Sequence, residues 1–254
     1  MSYLLNRDFL IEVQKGNITG HSMVHKFGRG DAANGSWSFV NLLASSVGLM
    51  AAASTVRIKA GGNAADAAGG VGATSVTVQG ILATTFLEDT EVIVTAGASA
   101  SSNTSNSFWR VHRAWVSAVG AYGVANTADI VIEKSAGSAD LIKIAIDEGQ
   151  TQYGGFTIPA GKTGYLLSVH ATVDTNKTAN IRMFTRAEID TVSAPMQAKR
   201  LKLFWDGVQS PGFVYKPYGP ELMLAEKTDI WFEAYGDGAS STVTVDFEIL
   251  LVDN

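Results

Sequence analysis

Apolar residues recur at every second position along most of this chain, the repeat of a β-strand with one buried face. The C-terminal run "STVTVDFEILLVDN" shows it most clearly. Val243, Val245, Phe247, Ile249 and Leu251 fall on one face, and Thr242, Thr244, Asp246 and Glu248 on the other. "SFWRVHRAWVSAV" alternates likewise, with Trp109, Val111 and Trp115 on one face and Arg110 and His112 on the opposite one. "DIVIEK", "LIKIAI", "YLLSVHATV", "RLKLFW" and "DIWFEAY" add short strands, separated by Gly, Asn, Asp and Ser clusters suited to turns. No amphipathic helix longer than a turn or two is predicted. Regularly spaced short strands predict an all-β fold, an antiparallel β-sandwich of jelly-roll type over residues 51–254.

Residues 1–50 carry isolated strand-like pieces without a sustained period and read as an irregular N-terminal arm. Two low-complexity stretches follow, "AGGNAADAAGGVGATS" at 60–75 and "TAGASASSNTSNS" at 95–107, expected as exposed loops between strands. No internal repeat of solenoid or propeller length is present.

Composition narrows the function classes. A chain of 254 residues can bury a substantial core as one all-β domain. Charged residues make up 17%, a thin cover for a free surface, which suggests that other molecules cover part of it. The net charge of −5 argues against a nucleic-acid groove, which needs clustered Lys and Arg. With no cysteine there are no disulfides or thiolate metal sites, in keeping with assembly in a reducing cytoplasm. "MSYLLNRDFLIEVQKGN" has charges inside its apolar run and makes a poor signal peptide. No uninterrupted apolar run approaches the ~18 residues of a membrane-spanning helix.

The motifs that suggest chemistry do not survive inspection. "GGFTIPAGKTGYL" ends like a phosphate-binding loop, but five residues rather than four separate Gly155 from Gly161. Tyr165 to Asp174 then alternates as a strand where a helix should begin. Ile158–Gly161 is read as a type I turn. His21 and His25 are four apart without helical context or carboxylate partners, which disfavours a metal pair. Arg29-Gly30-Asp31 matches an adhesion tripeptide by chance, and the four Asn-x-Ser/Thr sites read as polar turn residues. No G-x-S-x-G elbow is present. The strand tryptophans Trp109, Trp115, Trp205 and Trp231 are expected in cores rather than on sugar-binding surfaces. No catalytic, cofactor-binding or metal-binding residue is assigned.

Several blocks, in consistent order over nearly the whole chain, carry a resemblance. They are "GNITGHSMVHKFGR", "AGGNAADAAGGVGATSVTVQGI", "SFWRVHRAWV", "YGGFTIPAGKTGYL", "EKTDIWFEA" and the closing "ILLVDN". In these the chain resembles virion structural proteins of marine tailed bacteriophages. The resemblance implies a non-enzymatic particle subunit made in the bacterial host cytoplasm. A head decoration or cement protein that bridges capsid subunits is expected, with a neck, tail or fibre-base adaptor or receptor-binding module as the alternative. Expected partners are the major capsid protein or neck and tail proteins, and further copies of the chain, with neither nucleic acid nor membrane. Assembly contacts are expected in the arm, at Phe9, Ile11, Met23, His25, Phe27, Arg29 and Trp37. Covering its apolar groups would contribute about 25 cal/mol per Å², before ordering costs. The segment "SWSFVNLLASSVGLMAAAS" is more apolar than the resemblance leads one to expect.

Overall fold

The computed structural model describes residues 8–43, 49–217 and 222–254. Strands occupy 53% of the chain against 3% helix. A six-residue helix, α1 (Phe9–Gln14), comes first. Asp8 caps it, its carboxylate accepting from the Leu10 N–H at 2.9 Å and the Ile11 N–H at 3.3 Å. Next come β1 (His21–Ala32) and β2 (Trp37–Phe39). An inserted lobe follows, made of β3 (Val56–Ile58), β4 (Ala73–Leu82), β5 (Glu88–Val94), β6 (Phe108–Val119), β7 (Ile130–Lys134) and β8 (Asp140–Ile144). After the lobe run β9 (Gly155–Thr157), β10 (Lys162–Val173), β11 (Thr178–Arg186) and β12 (Arg200–Gln209). The last four are β13 (Phe213–Tyr215), β14 (Met223–Leu224), β15 (Asp229–Asp237) and β16 (Ser241–Asp253).

Outside the lobe, the strands pair as one long hairpin rolled up. β1 pairs with β16, β2 and β9 with β15, β10 with β13 and β14, and β11 with β12, all antiparallel. Those are the pairs formed when the first half of a ribbon folds back on its second half. Two further pairings, β16 with β10 and β15 with β11, roll the ribbon into a sandwich. The front sheet is β1-β16-β10-β13 with β14 beside β10, and the back sheet is β12-β11-β15-β2 with β9 beside β15. If β2 with β9 and β13 with β14 each count as one interrupted position, the sheets read 1-8-3-6 and 2-7-4-5 in chain order. That order is a jelly roll.

Alternation fills the space between the sheets. Val243, Val245, Phe247, Ile249 and Leu251 of β16 all face inward, as their period predicts, against Ile181, Met183, Ile230 and Phe232 of the back sheet. Phe232 and Phe247 meet across the core with ring centroids 5.2 Å apart. Each such side chain, fully buried, contributes about 1.5–3 kcal/mol.

The lobe has its own core between two three-stranded sheets, β5-β4-β6 and β3-β7-β8, filled by Val76, Val78, Phe108, Ile132, Ile142 and Ile144. The stretch 95–107, expected as a plain exposed loop, partly covers the edge of β3. Ser101 and Thr104 donate their N–H groups to the Ile58 and Val56 carbonyls and accept the return bonds on their hydroxyls. Asp66, from the other low-complexity stretch, is buried and accepts from the Ala73, Thr127 and Ala128 N–H groups. These short polar residues replace a strand ladder with side-chain bonds.

The lobe packs on the outward side of the back sheet. Phe39, Phe184 and Trp231 of that sheet, with Tyr153, join the lobe core. A buried polar pin crosses the contact: Arg110 of β6 holds Asp229 of β15 through Nη2 at 2.8 Å and Nε at 3.1 Å. Arg110 Nη1 donates to the Met50 and Trp109 carbonyls, and Thr157 Oγ1 donates to Asp229. The alternation predicted for β6 is broken: its pairing with β4 shifts register at Gln79/Gly80 and at Ile81/Leu82, so Val111, opposite Gly80, and Trp115, opposite Thr77, fall on opposite faces. Arg110 and His112 are each 2% exposed, because this strand lies at the junction.

The segment expected as an irregular arm contributes two strands instead. β1 pairs with β16 from His21–Val252 to Ala32–Ser241 without a register break, and β2 pairs with β15. Phe39 of β2 and Met50 both belong to the lobe core. The period is hidden in β1 because its inward positions include Lys26, Gly28 and Gly30. A Cβ at Gly28 would collide with the Gly154 backbone, and one at Gly30 would lie 2.5 Å from the Asn41 carbonyl oxygen. The chain entering and leaving the lobe crosses there, and only glycine leaves room. At the supposed phosphate loop, Gly161 has φ +72°. The glycine serves a left-handed backbone in the turn that leads into β10, and Lys162 opens that strand rather than a helix.

Candidate functional site

The outer side of the front sheet is polar at its centre and apolar toward one end. Across the centre, Glu248 of β16 accepts from Ser168 Oγ at 3.0 Å, and Asp246 lies 3.1 Å from Nδ1 of His170. Two residues along, the chemistry changes. Met23 of β1 stands opposite Leu250 of β16, Leu250 opposite Tyr165 of β10, and Tyr165 opposite Met223 of β14. Cross-strand register thus lines four apolar side chains in one row over four strands. Tyr165 is 39% exposed and Met223 51%. Helix α1 flanks the row: Gln14 Nε2 contacts the Met23 sulfur, and Phe9 meets His21 edge-on at 5.8 Å. The helix buries Val13 and leaves Phe9 and Ile11 outward.

The residues expected to make assembly contacts fall mostly on this side. Phe9 and Ile11 project from α1, while Met23, His25, Phe27 and Arg29 occupy outward positions of β1. His25 and Phe27 stack at 6.5 Å, and Arg29 is held by Glu148 of the lobe at 2.7 Å. Trp37 lies apart, on the outer side of the back sheet, with the Arg182 guanidinium 3.8 Å from its ring centroid. Sequence reasoning missed Leu250, Tyr165 and Met223. One signal was available: in "DFEILLVDN" the outward positions of β16 change from Asp246 and Glu248 to Leu250 and Val252.

A second polar cluster lies between β1 and the lobe. Lys26 is 3% exposed and donates to the His112 carbonyl, and His112 Nε2 is 2.7 Å from a Glu88 carboxylate oxygen. An ionised carboxylate only accepts, so Nε2 carries the proton. His112 Nδ1 is buried without a hydrogen-bond partner among the described residues. Burial pushes the Lys26 amine well below its ordinary 10.5, Arg113 adding to the effect and Glu88 opposing it. Burial also lowers His112 below 6.5, against the hydrogen bond and charge of Glu88. For Glu88 burial acts upward, but the His112 hydrogen bond and the nearby cations hold it below 4.5. The neighbouring cavity, about 170 Å³, is lined by Met23, His25, Gln79, Arg113 and Phe156 among others, with no hydroxyl or thiol to act as a nucleophile. The cluster pins the lobe to the sandwich.

The remaining motifs resolve in the same way. His21 and His25 lie along one strand, and the described residues hold no group of three His, Cys, Asp or Glu fit for a metal. Arg29-Gly30-Asp31 is paired strand rather than an exposed loop, with Asp31 accepting from Thr242 Oγ1. Trp231 is buried in the lobe contact, and Trp205 packs on the sandwich core.

No family model and no curated protein matches the chain. Among solved structures it is similar to that of the infectious bursal disease virus Gx strain, at 11% identity over 92% of this chain and 71% of the other, TM-score 0.23. The Gt strain structure gives 10% identity over 97% and 78%, TM-score 0.22. The triple jelly roll and turret assembly of an archaeal virus gives 11% over 93% and 61%, TM-score 0.21. Likenesses this loose carry no argument, and the jelly roll stands on the strand pairing itself.

Proposed function

We propose that this chain is a non-enzymatic structural subunit of a tailed-phage particle, a head decoration or cement protein that bridges neighbouring capsid subunits. The observation that carries this reading is the apolar row Met23, Leu250, Tyr165 and Met223 beside α1. It is a preformed surface of sheet and helix that a neighbour can cover without reshaping it. Covering a half-exposed Tyr or Met contributes on the order of 1 kcal/mol, so several such contacts per subunit, repeated over a particle, add up. The resemblance noted in the sequence agrees with this role.

The test is particle occupancy. Tyr165→Asp with Met223→Asp places two charges in the row at exposed positions, where folding tolerates them. The variant is expected to keep its far-ultraviolet circular dichroism and melting temperature yet be lost from purified particles. Occupancy equal to that of the unsubstituted protein would contradict the assignment of this surface.

A further inference from the structure

A cavity of about 310 Å³ opens between β14 of the front sheet and β11 and β12 of the back sheet. Thr185, Arg200 and Lys202 line it from the back sheet and Leu224 from the front sheet, with Glu188, Gln197 and Thr228 adding polar groups. A bulge brings the cations there. Leu203 stands opposite Met183 and Leu201 opposite Phe184, so Lys202 is one residue too many in β12. The extra residue shifts the phase of the strand. Arg200 comes to stand opposite Thr185, on the side of the buried Ile181 and Met183 rather than the outer side. Neither Arg200 nor Lys202 has an ion-pair partner among the described residues. Thr185 is 5% exposed, yet its hydroxyl has no hydrogen-bond partner among the described residues. Buried polar groups are rarely left open, and this one borders a cavity that a ligand can fill. Thr228, equally buried, reaches only the Glu226 carbonyl, at 3.4 Å.

We propose that this cavity binds a small hydroxy acid of the sugar-acid type, its carboxylate held by Arg200 and Lys202 and its hydroxyls by Thr185, Gln197 and Glu188. The planar guanidinium fork of Arg200 matches a carboxylate. Two cations against the one carboxylate of Glu188 leave a single positive charge in excess, which one acid group on the ligand balances. A zwitterion would leave that charge unbalanced, and a phosphate dianion would exceed it and meet Glu188. An ionised Glu188 only accepts hydrogen bonds, so it selects O–H donors on the rest of the ligand. Leu224 offers an apolar wall to the C–H face of such a molecule. The volume lies at the lower end of the roughly 300–1,000 Å³ of ligand pockets, which suits a single sugar-sized residue. This site goes beyond the structural role and does not depend on it. Met223, the end of the apolar row, also borders the cavity, so binding is measured on the free chain.

Ligand-observed NMR titration of the purified full chain with glucuronate, galacturonate and gluconate tests this, with glucose and glycine as controls and inorganic phosphate as competitor. At least one of the three acids is expected to bind, more weakly as salt rises from about 50 to about 500 mM, and neither control. Arg200→Ala with Lys202→Ala is expected to raise Kd at least about tenfold, as the loss of charge-assisted hydrogen bonds implies. Thr185→Val keeps the shape and removes no hydrogen bond within the chain. It is expected to weaken binding while leaving the melting temperature unchanged, which a purely structural role for the hydroxyl would not give. A uronic-acid trisaccharide distinguishes a free acid, which it would not surpass in affinity, from the end of an acidic polysaccharide, which it would; either result supports the site. Absence of binding by all three acids, glucose binding as well as they do, phosphate displacing them on equal terms, or unchanged affinity in the Arg200 and Lys202 variant would each overturn the proposal. Each of these results leaves the structural role untouched, since particle occupancy is read separately.

Discussion

Replacing Arg110 by Met is the sharpest test of how the lobe is fixed to the jelly roll. Arg110 and Asp229 are 2% and 1% exposed, and the guanidinium supplies the carboxylate with its only charged partner among the described residues. The substitution keeps the volume of the stem but leaves Asp229 buried with the Thr157 hydroxyl alone, at 2.7 Å. It also orphans the Met50 carbonyl, which Nη1 reaches at 2.8 Å. Breaking one side of a buried pair costs about 3–5 kcal/mol. For a chain of this length that corresponds to a fall in melting temperature of roughly 6–20 °C. Urea unfolding followed by tryptophan fluorescence reads the loss directly, since Trp231 sits in the contact. Arg110→Met with Asp229→Leu removes both charges together and is expected to recover most of the loss, because apolar residues of similar volume often replace such pairs at little cost. A single-variant loss below about 1 kcal/mol, or a double variant no better than the single, would refute the pinning argument.

Other consequences follow from the same contacts. His112 is depressed by burial, so the unfolded chain takes up its proton first and stability falls as pH drops below 6.5. Glu88 adds to the fall below 4.5 for the opposite reason, its carboxylate being held ionised in the folded state. His112→Gln is expected to flatten the upper part of this decline in a series of melting curves, and an unchanged slope would count against it. Deleting residues 1–16 removes α1 and is expected to leave a folded chain with reduced particle occupancy. Deleting residues 1–35 also removes β1, uncovers the edge of β16 and is expected to give aggregates, so a soluble, normally melting product would contradict the fold. Lys162→Ala removes a surface pair with Asp253 at 2.5 Å and is expected to cost less than about 1 kcal/mol, with no ATP affinity in either form by calorimetry.

What was legible depended on whether a strand had one wet side. β16 has, and its inward residues could be read one by one. β6 alternates as clearly in sequence, but two register shifts break the period in the structure and separate Val111 from Trp115. Arg110 and His112 are paired with carboxylates 119 and 24 residues away, and nothing local announces them. β1 failed for a different reason: Lys26, Gly28 and Gly30 stand where a core strand would show apolar residues, because the crossing chain takes up the space. β2 and β9, at three residues each, are too short to show a period. The insertion of the lobe was equally hidden, since its strands alternate like those of the sandwich they interrupt. Of the expected contact residues, those on α1 and β1 share one side of the front sheet. Their companions Leu250, Tyr165 and Met223 come from distant strands and meet only through register.

The most direct measurement of the central claim is the number of copies of this chain per purified particle, by quantitative mass spectrometry against the major capsid protein. A head decoration protein predicts hundreds of copies. A handful to a few dozen would move the assignment to the neck or tail, and absence from particles would contradict the structural role altogether.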